Sequence, residues 1–386
     1  MSSISPRRMR RVLIAGTAAL SAALLLSSCA GGAGSDTESA SGVDAATATS
    51  LADFGTMEEL EAAAIAEGQL NVIALPRDWA NYGEILDLFA EKYPEITINE
   101  QSPDVSSAEE ITAAETNKGL DTAPDVFDIG LTVALQNTDV FAPYKVETWD
   151  DIPDALKEST GLFVGDYGGY MSVGYDSSKF DAPEEIGDLL GSDYKGSVAI
   201  NGDPTQAGAA FAAVGLATLL NSDAQNDGTL DDFQPGIDFF SELNAAGNML
   251  KLDVTTATIA SGETPVVFDW DYLNASHKAD NPAWEVVIFD GTGYAGYYNQ
   301  AINIDAPNPA AARLWQEFLY SDEVQNLWLK GGARPVRMEA MIEAGTIVQE
   351  LADALPEAPA DTVVPTEEQS STAGTLLGEK WASAVQ

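Results

Sequence analysis

Leu70-Asn71-Val72-Ile73-Ala74-Leu75-Pro76-Arg77-Asp78-Trp79-Ala80-Asn81-Tyr82 is the stretch whose reading decides the fold. Its first six residues form a short apolar run, which predicts a buried strand. Asp78 stands where the next helix needs an N-cap oxygen. Beyond it, Tyr82, Ile85, Leu86, Phe89 and Tyr93 recur at helical spacing on one face, and Pro94 ends the run. Upstream, the pattern predicts a helix over 57–67 that stops at Gly68. Downstream it predicts strands over 96–98 and 125–129, with a helix over 107–118 between them. Strand and helix alternate, so the expected fold is α/β, a mostly parallel sheet with helices on both faces.

A second alternating unit follows. Residues 166–176, rich in Gly and Tyr, read as an extended crossover. Strands are expected at 197–200, 264–268 and 284–288, and helices at 204–220 and 232–246. Residues 297–304 read as a return strand. Asn308 and Ser321 are placed to cap two further helices, with Pro309 at the first position of one and Gly331-Gly332 ending the other. A final helix carries Leu376, Leu377 and Trp381.

The chain has 386 residues, 61 acidic against 18 basic, a formal charge of −43, one Cys and one His. Two candidate ligands cannot build a Cys/His zinc centre, and one Cys cannot form an internal disulfide. The charge repels nucleic acid. The lone Cys29 has a specific setting. Arg7, Arg8, Arg10 and Arg11 precede an apolar stretch over 12–26, and Leu26-Ser27-Ser28-Cys29 closes it. This matches a bacterial lipoprotein signal over 1–28, with Cys29 lipidated. Its removal leaves 14 basic residues against 61 acidic ones, a charge of −47. Residues 29–50, poor in large apolar side chains, read as a flexible tether.

This order of parts resembles the substrate-binding lipoproteins of ABC importers, in particular the group that takes polyamines, ferric iron, thiamine or phosphonates. The resemblance covers about residues 55–340. It rests on the 70–89 unit, on Tyr194-Lys195-Gly196-Ser197-Val198, and on the 309–336 segment that closes with Arg334-Pro335-Val336-Arg337. It implies a two-lobed, type 2 periplasmic-binding-protein-like clamp with crossover strands between lobes. Lobe 1 would span 51–166 with a return segment at 294–345, lobe 2 would span 167–293, and 346–386 would form a C-terminal segment. It also implies a monomeric, non-enzymatic protein without cofactor, lipid-anchored on the outer face of the cell membrane. Such a protein delivers a small solute to permease subunits.

In such folds ligands lie outside the carboxyl ends of the strands. That rule selects Trp79 and Tyr82, three apart on one helical face, where polyamine binders carry a similar pair; packing of the helix onto its neighbour is the alternative. It also selects Asp269-Trp270-Asp271-Tyr272, two carboxylates interleaved with two rings, and Asp128, with Asp203 and Gln206 as weaker candidates. Rings and carboxylates together suit an organic cation. Tyr298, beside Tyr297 on the return strand, keeps ferric iron open, although only Tyr272 matches the family's iron tyrosines. Arg77, Arg334 and Arg337 keep an anionic solute open. His277 reads as a surface residue. The leading expectation is a polyamine-like cation, with ferric iron, a phosphonate or thiamine as alternatives. An adhesin or a carboxylate-based glycosidase is more remote.

Overall fold

The computed structural model describes residues 43–221 and 229–385. The signal segment and Cys29 lie outside the described residues. All the structure below belongs to one compact unit, Thr37–Gln386.

The chain enters on a docked turn. Asp44 caps the 3-10 turn Ala45–Thr47, and Ala45 and Ala48 are buried. The buried Arg313 guanidinium donates to the carbonyls of Ala46 and Ala48. Residues 43–50, expected as tether, are therefore part of the folded body.

α1 (Leu51–Phe54) and α2 (Met57–Glu67) lead into β1 (Gln69–Ile73), α3 (Tyr82–Lys92), β2 (Thr97–Gln101) and α4 (Ser107–Thr116). Next come β3 (Val126–Gly130), α5 (Leu131–Gln136), β4 (Phe141–Ala142) and the long β5 (Phe163–Asp176). The second unit holds β6 (Val198–Ile200), α6 (Gly208–Leu220), α7 (Gln234–Ala246), α8 (Thr256–Ser261), β7 (Val266–Trp270), α9 (Asp271–Ser276) and β8 (Trp284–Val287). The chain returns along β9 (Thr292–Asn303) to α10 (Pro309–Leu319), α11 (Asp322–Lys330), β10 (Arg334–Pro335) and α12 (Met338–Ala344). It finishes with α13 (Gln349–Ala352), β11 (Asp361–Val363) and α14 (Glu367–Ala384).

The sheets are mixed rather than mostly parallel. β1–β2, β6–β7 and β9–β11 are parallel pairs. Two long strands run against their neighbours. β5 pairs antiparallel with β9 from Phe163 to Tyr170, then with β7 from Met171 to Tyr175 and with β8 from Val173 to Asp176. It thus passes from one group of strands to the other, as the crossover expected over 166–176 requires. β9 also pairs with β3 and β4. Alternating βα units show in the sequence, but the direction of long return strands is set by pairing across distant segments.

Local chemistry explains most element ends. Gly68 and Gly247 end α2 and α7 in the left-handed region, at φ 72° and 76°. Ser321 caps α11 through Val324 N. Three expectations fail for identifiable reasons. Asp78 is not an N-cap, because Asn81 takes that position at φ 70° and α3 begins at Tyr82. Residues 204–207 form a turn on Asp203, whose carboxylate accepts from Thr205 N, so α6 starts only at Gly208. Asn308 precedes α10, but its amide donates to Asp125; Glu67 caps that helix instead, accepting from Ala310 N and Ala311 N.

Candidate ligand-binding site

Loops after β1 and β2 face the loop after β6, the 249–256 segment and α9 across a cleft of about 800 Å³. Its wall is lined by strand residues and one helix. β3 brings Asp128, β7 brings Asp269 and β9 brings Tyr298, while α4 contributes Glu110. All four are under a tenth exposed.

Their hydrogen bonds leave capacity unused. Asp128 Oδ2 accepts from the Tyr167 hydroxyl at 2.8 Å, while Oδ1 is buried without a partner. Tyr167 accepts in turn from Trp79 Nε1 at 2.7 Å, and its ring stacks between Tyr298 at 5.7 Å and Trp328 at 4.3 Å. Trp79 meets Tyr298 edge-on at 5.6 Å. Glu110 accepts from Asp128 N at 3.1 Å. Asp269 accepts from Trp270 N and Asn201 Nδ2, both at 2.8 Å.

No Lys or Arg pairs with these three carboxylates among the described residues. Burial therefore dominates their titration. It pushes Asp269 up to about 7, and raises Asp128 and its buried neighbour Asp166, which the Asp128 charge raises further. Burial, then the Asp128 charge, lifts Glu110 well above the usual carboxylate range. The rim adds Asp78, Asp104, Glu109, Asp203 and Asp253. Lys251 is the only Lys or Arg among the described lining residues, and its ammonium donates to the Val385 carbonyl.

The arginines that kept an anionic solute open are engaged elsewhere. Arg77 pairs with Asp87 and Glu100, Arg334 with Asp271, and Arg337 with Asp151 and Asp322. Among the described residues, no group of three or more His, Cys, Asp or Glu is placed to hold a metal ion.

Of the residues selected from the sequence, Trp79, Asp128, Asp203, Asp269 and Tyr298 line the cleft, as does Gln206. Four do not. Tyr82 is fully buried against Trp328 at 4.7 Å and accepts from Gln300. The same helical face that suggested a binding pair docks α3 onto the core. Trp270 and Tyr272 are buried behind the lining, the Trp270 ring edge-on to Tyr298 at 6.3 Å and the Tyr272 ring against Tyr167 at 5.9 Å. Asp271 is spent structurally, accepting from Tyr170 N and Arg334. His277 is 9% exposed rather than a surface residue, packs edge-on to Trp284, and lines the cleft. Glu110, Asn201 and Trp381 went unselected. Glu110 carried a signal, since it shares the inward face of α4 with Ser107, Ile111 and Ala114. An acid on an apolar face needs a partner.

The raised carboxylates set a pH dependence. A group whose folded pKa lies above its unfolded value stabilises the fold at low pH and loses that contribution as pH rises through the folded pKa. Glu67 and Asp125, raised by burial to about 7, act in the same direction as Asp269. The ligand-free protein is expected to melt at a lower temperature at pH 8 than at pH 5.5, measured by calorimetry in matched ionic strength. An unchanged or higher melting temperature at pH 8 contradicts this electrostatic account.

Comparison with known proteins fits the two-lobed geometry. A model of the family described as bacterial extracellular solute-binding protein matches residues 121–362. The chain belongs to this family. No curated protein matches the sequence. Among solved structures, this solute-binding protein is similar to AgtB from A. tumefaciens R10 in complex with agropinic acid, at 14% identity and a TM-score of 0.66, covering 82% of this chain and 98% of that one. It is similar to AfuA from Actinobacillus pleuropneumoniae with fructose-6-phosphate bound, at 18% identity and a TM-score of 0.63, over 82% and 98% of the two chains. It is also similar to a ferric binding protein from Campylobacter jejuni, at 14% identity and a TM-score of 0.60, over 82% and 99% of the two chains. Periplasmic binding proteins thus share its fold while holding unlike ligands, so this solute-binding protein's ligand has to be read from its own cleft. No helix among the described residues is long and apolar enough to cross a membrane.

Proposed function

We propose that the protein captures a small organic cation, of the polyamine type, and delivers it to an ABC import permease while anchored to the outer face of the membrane through lipidated Cys29. One observation carries the choice of ligand. Glu110, Asp128 and Asp269 are buried in the wall of the cleft, and no basic side chain among the described residues pairs with them. A buried carboxylate without a counter-charge is costly, and an ammonium group supplies both the charge and the missing donors. Trp79 and Tyr298 add ring faces and edges to the same wall, and a cation over such a ring gains about 0.5–2 kcal/mol. The three paired arginines support the cationic reading against the phosphonate one.

A thermal-shift screen of the mature protein tests it. Putrescine, spermidine and thiamine form the cationic arm, phosphate and 2-aminoethylphosphonate the phosphorus arm, and ferric citrate the metal arm. A cation present at 100 times its Kd is expected to stabilise the fold by about 2.7 kcal/mol. A shift with phosphate alone, or a coloured complex with ferric citrate and no shift with any cation, overturns the reading. Affinity for the cation is expected to fall below pH 7 by roughly tenfold per pH unit for each carboxylate that must shed its proton to pair.

A further inference from the structure

α14 begins after residue 362, where the match to the family model ends, and it packs against α5, which follows β3, and against α7 of the second unit. Its buried face is Ala373, Leu377 and Trp381, a four-residue spacing that forms one stripe. At one end Gly374 lies so close to α5 that a Cβ there would come within 2.6 Å of Thr132 Cγ2. α5 directly follows β3, the strand of Asp128. Toward its C-terminal end Trp381 meets Phe240 of α7 edge-on at 5.6 Å and Lys380 donates to Gln234, while Gln369 in the first turn donates to Asp231. The Trp381 side chain then reaches the cleft lining, together with Asp269, Asp203 and Lys251. The carbonyl of Val385, just past the helix, holds the Lys251 ammonium.

From this geometry we infer that the C-terminal helix is a specificity element of the binding site, with Trp381 as an aromatic contact for the bound cation. The inference rests on the cationic reading above and deepens it. The helix does two things to the cleft at once. It adds a π face to an acidic wall, which is the combination that attracts an ammonium group over a neutral solute of the same size. It also engages, through the chain that follows it, the only Lys or Arg among the described lining residues, so that cation is tied to a backbone carbonyl at the cleft's edge.

The test is isothermal titration of spermidine into the mature wild-type protein and into Trp381→Phe, Trp381→Leu and Trp381→Ala, at pH 8 and low salt, with melting curves for all four. Ring loss is expected to weaken spermidine binding about tenfold in Trp381→Leu and Trp381→Ala, while Trp381→Phe stays within about threefold of wild type. Leu fills most of the space without a π face, so a packing role would leave Trp381→Leu and Trp381→Phe alike. Equal affinities for those two, or unchanged binding in Trp381→Ala, overturn the inference and leave the cationic reading standing. Absence of spermidine binding in the wild type overturns the polyamine reading itself. If Trp381→Ala melts much earlier than wild type, the Phe and Leu pair, compared at matched folded fractions, decides the outcome.

Discussion

Replacing Asp128 by Asn is expected to weaken cation binding by about 30- to 5,000-fold while leaving the ligand-free fold as stable as wild type, or more so, at pH 8. The two halves of the result have separate causes. Loss of one partner of a buried, hydrogen-bonded charge pair costs about 2–5 kcal/mol of binding, and Asp128 is one of three carboxylates in the cleft wall without a basic partner. Its stability effect runs the other way. The Tyr167 hydroxyl donates to Oδ2 and nothing donates to Oδ1. Asn keeps an acceptor for Tyr167 and removes a negative charge that also burdens Glu110, Asp166, Tyr82 and Tyr298. Calorimetric titration and melting at pH 8 read both halves. Full binding by a folded Asp128→Asn variant would remove Asp128 from the site. A large drop in melting temperature would mean that its role is structural.

Gly168→Ala is expected to destabilise the protein by about 3 kcal/mol and to lower Tm by roughly 4 °C, because the unfolding entropy of a body this long is large. Gly168 lies in β5 opposite β9, next to a register irregularity that runs from Gly165. A Cβ there would stand 2.2 Å from the carbonyl oxygen of Gly296 and 2.8 Å from the Tyr297 ring. The first contact is backbone in a paired strand, so relief requires moving β9, which also carries Tyr298 into the cleft. Gly378→Ala is the control, because nothing lies within 4 Å of a Cβ there and the residue sits inside α14. That change should stabilise by about 0.5–1 kcal/mol. A Tm for Gly168→Ala within 2 °C of wild type would show that the strands yield at this point.

Both effects depend on β5 and β9, and here the sequence and the structure part ways. The 70–93 unit was legible because strand length, helical spacing and Pro94 act within a few residues of one another. The same locality made Gly68, Ser321 and the crossover over 166–176 readable. Asp78 was misread because Asn81, three residues on, tolerates the left-handed conformation that starts α3. Asn308 was misread because its competitor for the α10 terminus, Glu67, lies 243 residues away from Ala310. Candidate ligand residues followed the same division. The rule that ligands lie beyond strand ends pointed to Asp128 and Asp269, and the tandem tyrosine to Tyr298, all three of which line the cleft. It could not separate Asp269 from Asp271, which the chain turns toward Arg334. It had no purchase on Trp381, whose helix is placed by packing against α5 and α7.

By itself the sequence determined the α/β character, the succession of elements, the family resemblance and a strongly acidic chain with its single Cys at the end of an apolar leader. These follow from composition and from periodicities that act over one helical turn or one strand. Only the tertiary structure decided which acids face the cleft without a basic partner among the described residues, which arginines are already occupied, and that a C-terminal helix brings Trp381 to the cleft lining. Those outcomes depend on contacts between segments a hundred or more residues apart, where burial and pairing, not residue type, set what a side chain is free to bind.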